Sequence, residues 1–200
     1  MPKPDVSQER KNQIIEAATA VFAEKGFYEA RMDDIVEASG LSKGALYWYF
    51  DSKDAIIAAI LDSFFDQEIE GMGKLLTAEM PVAGKLKVFI QQVMADIQEM
   101  SIYQSIALEF YALASRREDI RLALIRYFDD FQTALTQLIQ QGIDTGEFQQ
   151  VNAAVVADIF IAQMEGIALL WAFNPERFQL EATAVTAVDL IITGLSSISS

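Results

Sequence analysis

The sequence predicts an all-α protein of about nine helices: a small three-helix unit of helix-turn-helix type, then a larger helical bundle. Three observations carry this. Apolar residues recur at three- and four-residue spacing through most of the 200 positions, the period of an amphipathic helix. Only four prolines interrupt the pattern, and the later two, Pro81 and Pro175, fall between apolar segments. Between Met32 and Lys53 the stretch MDDIVEASGLSKGALYWYFDSK fits two short helices joined by a tight turn.

The first helix is expected from about Ser7 to Lys25, with Ile14, Ala18, Val21 and Phe22 on one face. Gly26 suits its end and Phe27 a buried plug behind it. Arg10 and Lys11 stand in its first turn. The second helix starts near Arg31 and turns Ile35, Val36 and Ala38 inward. Gly40 permits the turn, Leu41 fills it, and Ser42 can accept a hydrogen bond from the free N–H groups of the third helix. That helix, Lys43 to Tyr49, is sized for a DNA major groove.

Tyr47, Trp48, Tyr49 and Phe50 are consecutive. At roughly 100° per residue they point nearly all round a helix, so one or two of them must meet solvent or a partner. Lys43 and Lys53 stand at predicted helix N-termini, where the macrodipole disfavours a cation. A phosphate there would be attracted by the N–H groups and the lysines together, whereas without one both lysines are simply solvated.

Six further helical segments follow. One runs from Ser52–Lys53 to about Thr77, with Ile56, Ile57, Ile60, Leu61, Phe64 and Phe65. The next, about 82–99, carries Leu86, Phe89, Ile90, Val93, Met94 and Ile97. Segments at about 101–115 and 118–141 come next, the second ended by Gly142 to Gly146. Asn152 caps a segment that closes at Asn174–Pro175, and the last spans about 180–195.

The last two segments are apolar on more than one side. Val155, Ile159 and Leu170 lie on one side of the first, and Val156, Phe160, Met164 and Trp171 on another. The second adds Val185, Val188, Ile191, Ile192 and Leu195, while Ala162, Gly166, Ala184 and Ala187 permit close approach. Two such helices from each of two chains would bury these faces in a four-helix bundle. The alternative is a buried helical hairpin within one chain.

Composition narrows the chemistry. There is no cysteine and no histidine, which removes the thiolate nucleophile and the commonest general base and metal ligand. A non-enzyme without cofactor or metal is expected. The N-terminus lacks the apolar core of a signal peptide, and Asp158, Gln163 and Glu165 interrupt the most apolar run. A soluble, cytoplasmic protein with no membrane partner follows as the expectation. Net charge is −14, distributed unevenly. Residues 1–53 hold seven Lys/Arg against nine Asp/Glu, and the remainder eight against twenty. The acidity therefore lies mostly in the second part, yet the first part lacks the usual basic footprint of a DNA binder.

The runs RKNQIIEAATAVFAEKGF and DDIVEASGLSKGALYWYFDSKDAI, within about residues 10–60, resemble the DNA-binding region of the TetR family of bacterial transcriptional regulators. The resemblance implies a DNA-binding domain over 1–52 and an effector-binding and dimerisation domain over 53–200, dimerising through a four-helix bundle. It implies a ligand-responsive regulator, a repressor released from a palindromic operator by a small hydrophobic effector. By the same resemblance Ser42 caps and touches phosphate, and Lys43, Gly44 and Ala45 approach base edges. Tyr47 and Tyr49 bond phosphates, Trp48 reaches a phosphate or a thymine methyl, and Lys53 faces phosphate. The family places small hydroxyl residues at 30–32 to reach phosphate. Here Ala30, Arg31 and Met32 stand instead, leaving Arg31 as a longer-reaching contact. This departure and the acidity also suit a helical ligand-binding or protein-interaction module that has lost specific DNA binding.

Aromatic and thioether residues in the second part suggest an effector pocket: Phe89, Met94, Tyr103, Phe110, Tyr127, Phe131, Met164 and Trp171. Such residues equally make plain core. No Lys or Arg occurs from 88 to 115 or from 127 to 176, yet Glu109 and Glu165 lie there in apolar surroundings. An acid without a cation is costly to bury, so these two are the expected pocket acids and the expected effector is hydrophobic and, where they face it, cationic. The alternative is that they face water or pair with Arg116, Arg117, Arg121 or Arg126.

Overall fold

A computed structural model describes residues 6–99 and 111–196. The chain is all-α: α1 Val6–Glu29, α2 Met32–Ser39, α3 Lys43–Tyr49, α4 Lys53–Leu76, α5 Val82–Glu99, α6 Glu118–Asp144, α7 Ala153–Phe173 and α8 Leu180–Leu195. Residues 111–114 are helical as well. Among the described residues no strand occurs; Phe148 and Ser196 form an isolated antiparallel bridge. Most of the segment expected at 101–115 lies outside the described residues.

The described residues pack as two compact units. One holds those up to Phe64 and those from 111 to Ile120; the other holds Phe65 to Glu99 and Arg121 onward. In the first, α1 packs on α2 and α2 on α3. Ile14, Ala18, Phe22, Ile35, Leu46, Ile56 and Ile57 are buried there. The helical path of α1 breaks at Gly26, whose φ of 75° and ψ of 160° exclude most other residues. Phe27 then turns back to meet Phe22 edge-on, with ring centroids 5.6 Å apart. Gln13 Nε2 donates to the Ser39 carbonyl at 2.7 Å and ties α1 to the end of α2.

In the second unit α5 packs against α8, and α8 against α7. Leu86, Ile90, Met94, Leu135, Leu138, Phe160 and Val188 form the centre of its core. Asn152 caps α7 as expected, its Oδ1 accepting from Ala154 and Val155 N–H groups at 3.1 and 3.3 Å. The cap of α5 comes from far along the chain: Glu147 accepts from the N–H groups of Val82 and Ala83, both at 2.7 Å. A carboxylate there also faces the positive end of the helix.

Helix α6 runs to Asp144, past the expected stop at Gly142. Gly142 serves packing: a Cβ there would overlap the Phe148 ring. Lys85 is buried and unanticipated. Its Nζ donates to the Leu76 carbonyl and to Gln141 Oε1, both at 3.2 Å, so it satisfies the end of α4.

Candidate nucleic-acid interface and effector pocket

The helix-turn-helix is built as its sequence asks. Gly40 ends α2 at φ 66°, its N–H bonded to the Glu37 carbonyl. Ser42 Oγ accepts from the Ala45 N–H at 3.2 Å and caps α3. Leu46 and Phe50 are buried, which fixes the opposite side of α3 as its outer face. On that face Lys43 and Gly44 are exposed, with Tyr47 43% and Trp48 73% exposed. Ala45 and Tyr49 are half-buried, and the Trp48 and Tyr49 rings meet edge-on at 4.6 Å. A Cβ on Gly44 would meet nothing within 4 Å. The fold therefore does not require glycine there, and the open space suits an approaching partner.

The α2 start compensates for its missing hydroxyl. Arg31 caps without a side-chain bond, Met32 is half-buried, and Asp34 Oδ2 accepts the Arg31 N–H at 2.7 Å. The other Asp34 oxygen pairs with Lys25 at 2.8 Å, and hydrogen bonding to that ammonium holds Asp34 below the usual carboxylate range. Asp33 Oδ1 reaches Lys43 Nζ at 2.7 Å, and this hydrogen bond raises the Lys43 pKa.

Lys53 behaves differently from Lys43. Its ammonium donates to the carbonyls of Phe27, Tyr28 and Ala30 at 2.6, 3.2 and 2.6 Å and lies 4.6 Å above the Phe27 ring. The carbonyls left unpaired by the break at Gly26 attract a cation. All three of its N–H groups therefore have acceptors inside the unit.

The second unit contains a cavity of about 190 Å³ between α4 and α5, lined by Glu68, Gly71, Lys74, Leu75, Phe89 and Asp96, with Lys74 paired to Glu70 at 2.8 Å. Glu68 is only 4% exposed. Burial first, and then the nearby Asp96 carboxylate, push it up to about 8. Gln92 Nε2 holds Asp96 Oδ1 at 2.8 Å. Phe89 joins the cavity to an aromatic row: Phe131 lies 5.4 Å from it, Tyr127 5.8 Å from Phe131, and Phe65 stacks on Tyr127 at 3.7 Å. Sequence reasoning missed Glu68, yet a signal existed. The buried α4 positions Phe64 and Met72 stand four residues to either side of it, on one helix face.

The remaining pocket candidates are distributed otherwise. Glu165 lines a separate groove of about 530 Å³ between α6 and α7 with Phe128, Asp129 and Asp158. Glu165 and Phe89, expected to share one pocket, thus line separate ones. Met94, Met164 and Trp171 are buried core, while Tyr103, Glu109 and Phe110 lie outside the described residues. Of the arginines offered as their partners, Arg117 pairs with Asp119 at 2.7 Å.

Comparison with known proteins settles the family. The model for bacterial regulatory proteins of the tetR family matches residues 14–60. That for the C-terminal part of BetI-type transcriptional repressors matches residues 83–194. The chain belongs to the TetR family. An uncharacterized HTH-type transcriptional regulator of Bacillus subtilis is 32% identical over 171 residues, 82% of each chain. A TetR transcription regulator of Haloarcula marismortui superposes with a TM-score of 0.83 at 19% identity, covering 95% of this chain and 100% of the other. The B. subtilis regulator FadR, solved with stearoyl-CoA, superposes at 0.76 with 21% identity, covering 92% and 98%. As a TetR-family member the chain is a ligand-responsive, DNA-binding transcriptional regulator.

The helices expected to pair TetR-family subunits divide. On α7, Val155, Ile159 and Leu170 are about half-exposed, with Ala162 and Gly166 between them on the same stripe. A Cβ on Gly166 would meet open space. On α8 the expectation needs correction: Val188, Ile192 and Leu195 are buried within the chain, and Val185 is half-buried. The buried face of α5 needs apolar cover, and α8 supplies it. Ala182, Thr186 and Leu190 face outward from α8 instead, Leu190 being 68% exposed.

Proposed function

We propose that the chain is a homodimeric repressor that sets one α3 per subunit into successive major grooves of a near-palindromic operator. The observation that carries this is the outer face of α3. It exposes a lysine, a glycine with open space above it and two aromatic rings, while Leu46 and Phe50 anchor the helix from behind. Ser42, Lys43, Gly44, Tyr47, Trp48 and Tyr49 make the contacts, with Arg31 reaching from the start of α2. Lys53 is assigned to positioning, because its ammonium is already bonded to three carbonyls. The dimer uses the α7 stripe with the outward face of α8. Helix α7 has the length and mean hydropathy, 1.8, of a membrane span, and only 33% of that window is buried within one chain. A second copy covers the exposed stripe of Val155, Ile159, Ala162 and Leu170, with Asp158 at its edge, and the dimer works in the cytoplasm without catalytic activity.

The effector is an amphiphile with an apolar body and a cationic group. The cavity beside Glu68 supports this, because a cation there offsets the desolvation that pushes Glu68 up. The B. subtilis neighbour, solved with stearoyl-CoA, supports the apolar body, and the Glu68–Asp96 pair supports a positive head group, the Lys74 charge on the same wall being offset by Glu70. Glu68 lies about 22 Å along α4 from Lys53 at 1.5 Å per residue. A ligand that moves the Glu68 wall therefore acts on the same helix that begins at the reading head, while half-sites one turn apart demand about 34–36 Å between the two heads.

Selecting bound fragments from a random DNA pool tests the operator, followed by gel shifts with a lipophilic quaternary amine and its neutral isostere. A symmetric site released by the amine alone is expected. Retention of no DNA would turn the reading to a ligand-binding module without an operator.

A further inference from the structure

Asp33 stands in the first turn of α2 and turns its side chain onto the first residue of α3. Its neighbour Asp34 is occupied on both oxygens, by Lys25 and by the Arg31 N–H. Asp33 instead puts Oδ1 2.7 Å from Lys43 Nζ, at the first residue of α3, with the two side chains 69% and 62% exposed. An ion pair this open adds little to stability, and a carboxylate on a DNA-facing surface repels phosphates. The first turn of α2 favours a carboxylate at this position, but that leaves open why the side chain is turned onto the start of the reading helix.

The N-terminal residues of a reading helix are those that reach base edges, so whatever base Lys43 meets, Asp33 meets its neighbourhood. In the major groove guanine offers two adjacent acceptors, N7 and O6, and its paired cytosine offers a donor at N4. O6 and N4 are hydrogen-bonded to each other, hence about 2.9 Å apart. The Lys43–Asp33 pair, itself hydrogen-bonded at 2.7 Å, presents a donor beside an acceptor and so can lie along that edge. The ammonium uses one N–H on Asp33 and has two left for N7 and O6. Over thymine O4 the same ammonium would face a methyl group on one side.

We propose that Asp33 is a specificity-determining residue: Lys43 donates to guanine while Asp33 accepts from the cytosine N4 amino group of the same base pair. Each half of the operator therefore carries a G·C pair in one orientation under the N-terminus of α3. The inference rests on the operator reading above.

Selection from a random DNA pool by the full-length dimer tests it, with the wild type, Asp33→Ala and Asp33→Asn in parallel. The wild type enriches a symmetric site with one oriented G·C pair in each half. Asp33→Ala relaxes discrimination at that pair roughly tenfold or more, keeps the other positions, and binds random-sequence DNA more tightly. Asp33→Asn, which keeps an acceptor oxygen, retains part of the preference. If Asp33→Ala strengthens binding to every sequence by one factor and leaves all preferences intact, Asp33 is only a charge and the proposal is overturned. A symmetric wild-type site without the G·C pair overturns it equally, with the operator reading intact. Enrichment of nothing by the wild type overturns both.

Discussion

Glu68 shows what a single side chain does to the whole stability curve. Its carboxyl is pushed up to about 8 in the folded chain, from an ordinary 4.5. The unfolded chain therefore loses this proton at lower pH than the folded one does. The stability linked to it is complete below about pH 4.5 and is lost as pH rises towards 8. Glu68→Gln is expected to remove this dependence and to stabilise the protein at pH 8 by a few kcal/mol. Urea unfolding at pH 4 and pH 8 checks it, the two proteins diverging chiefly at the higher pH. Gly44 and Gly142 make an opposite pair. Gly44→Ala meets open space, so melting should be unchanged or slightly higher while operator affinity falls. Gly142→Ala drives a methyl into Phe148 and should cost about 1–3 kcal/mol, read as a lower thermal midpoint.

At the scale of elements, the joints matter more than the helices. The end of α1 is held by the Lys53 ammonium, which reaches it from the first residue of α4. Lys53→Met keeps much of the aliphatic stem and leaves three carbonyls without their donor. About 1–3 kcal/mol should be lost, with the loss concentrated in hydrogen-exchange protection around Phe27 to Ala30. The same joint couples α4 to the reading head, so operator affinity should fall with it. Lys85 and Glu147 do comparable work in the second unit, one closing the end of α4 and the other opening α5. Neither contact is suggested by local sequence, because the partners lie 9 and 65 residues away.

At the scale of the molecule, the open face of α7 carries the prediction of a dimer. Ile159 is 54% exposed in one chain, an arrangement that suits a partner surface. Ile159→Glu should leave the fold and its helical content intact, yield monomers by sedimentation, and abolish operator binding at nanomolar protein. Charge acts at this scale too. With a net −14, non-specific DNA affinity should be weak, and operator affinity should fall steeply as salt rises.

Local rules fixed a good deal. Helical spacing, Gly40 in the turn and the caps Ser42 and Asn152 follow from the residues themselves, because each depends on neighbours within a turn or two. The run from Arg10 to Ile56 carries the family for the same reason: a helix-turn-helix is short, local and constrained at nearly every position. Which side of an all-round apolar helix faces its own chain is another matter. Val188, Ile192 and Leu195 looked as available to a partner as Val155 and Ile159, and only the packing of α8 on α5 separated them. The Glu68 cavity, the inward turn of Lys53 and the Asp33–Lys43 pair were decided in the same way. Each depends on where side chains from different helices come to lie, and hydrophobic periodicity carries no information about that.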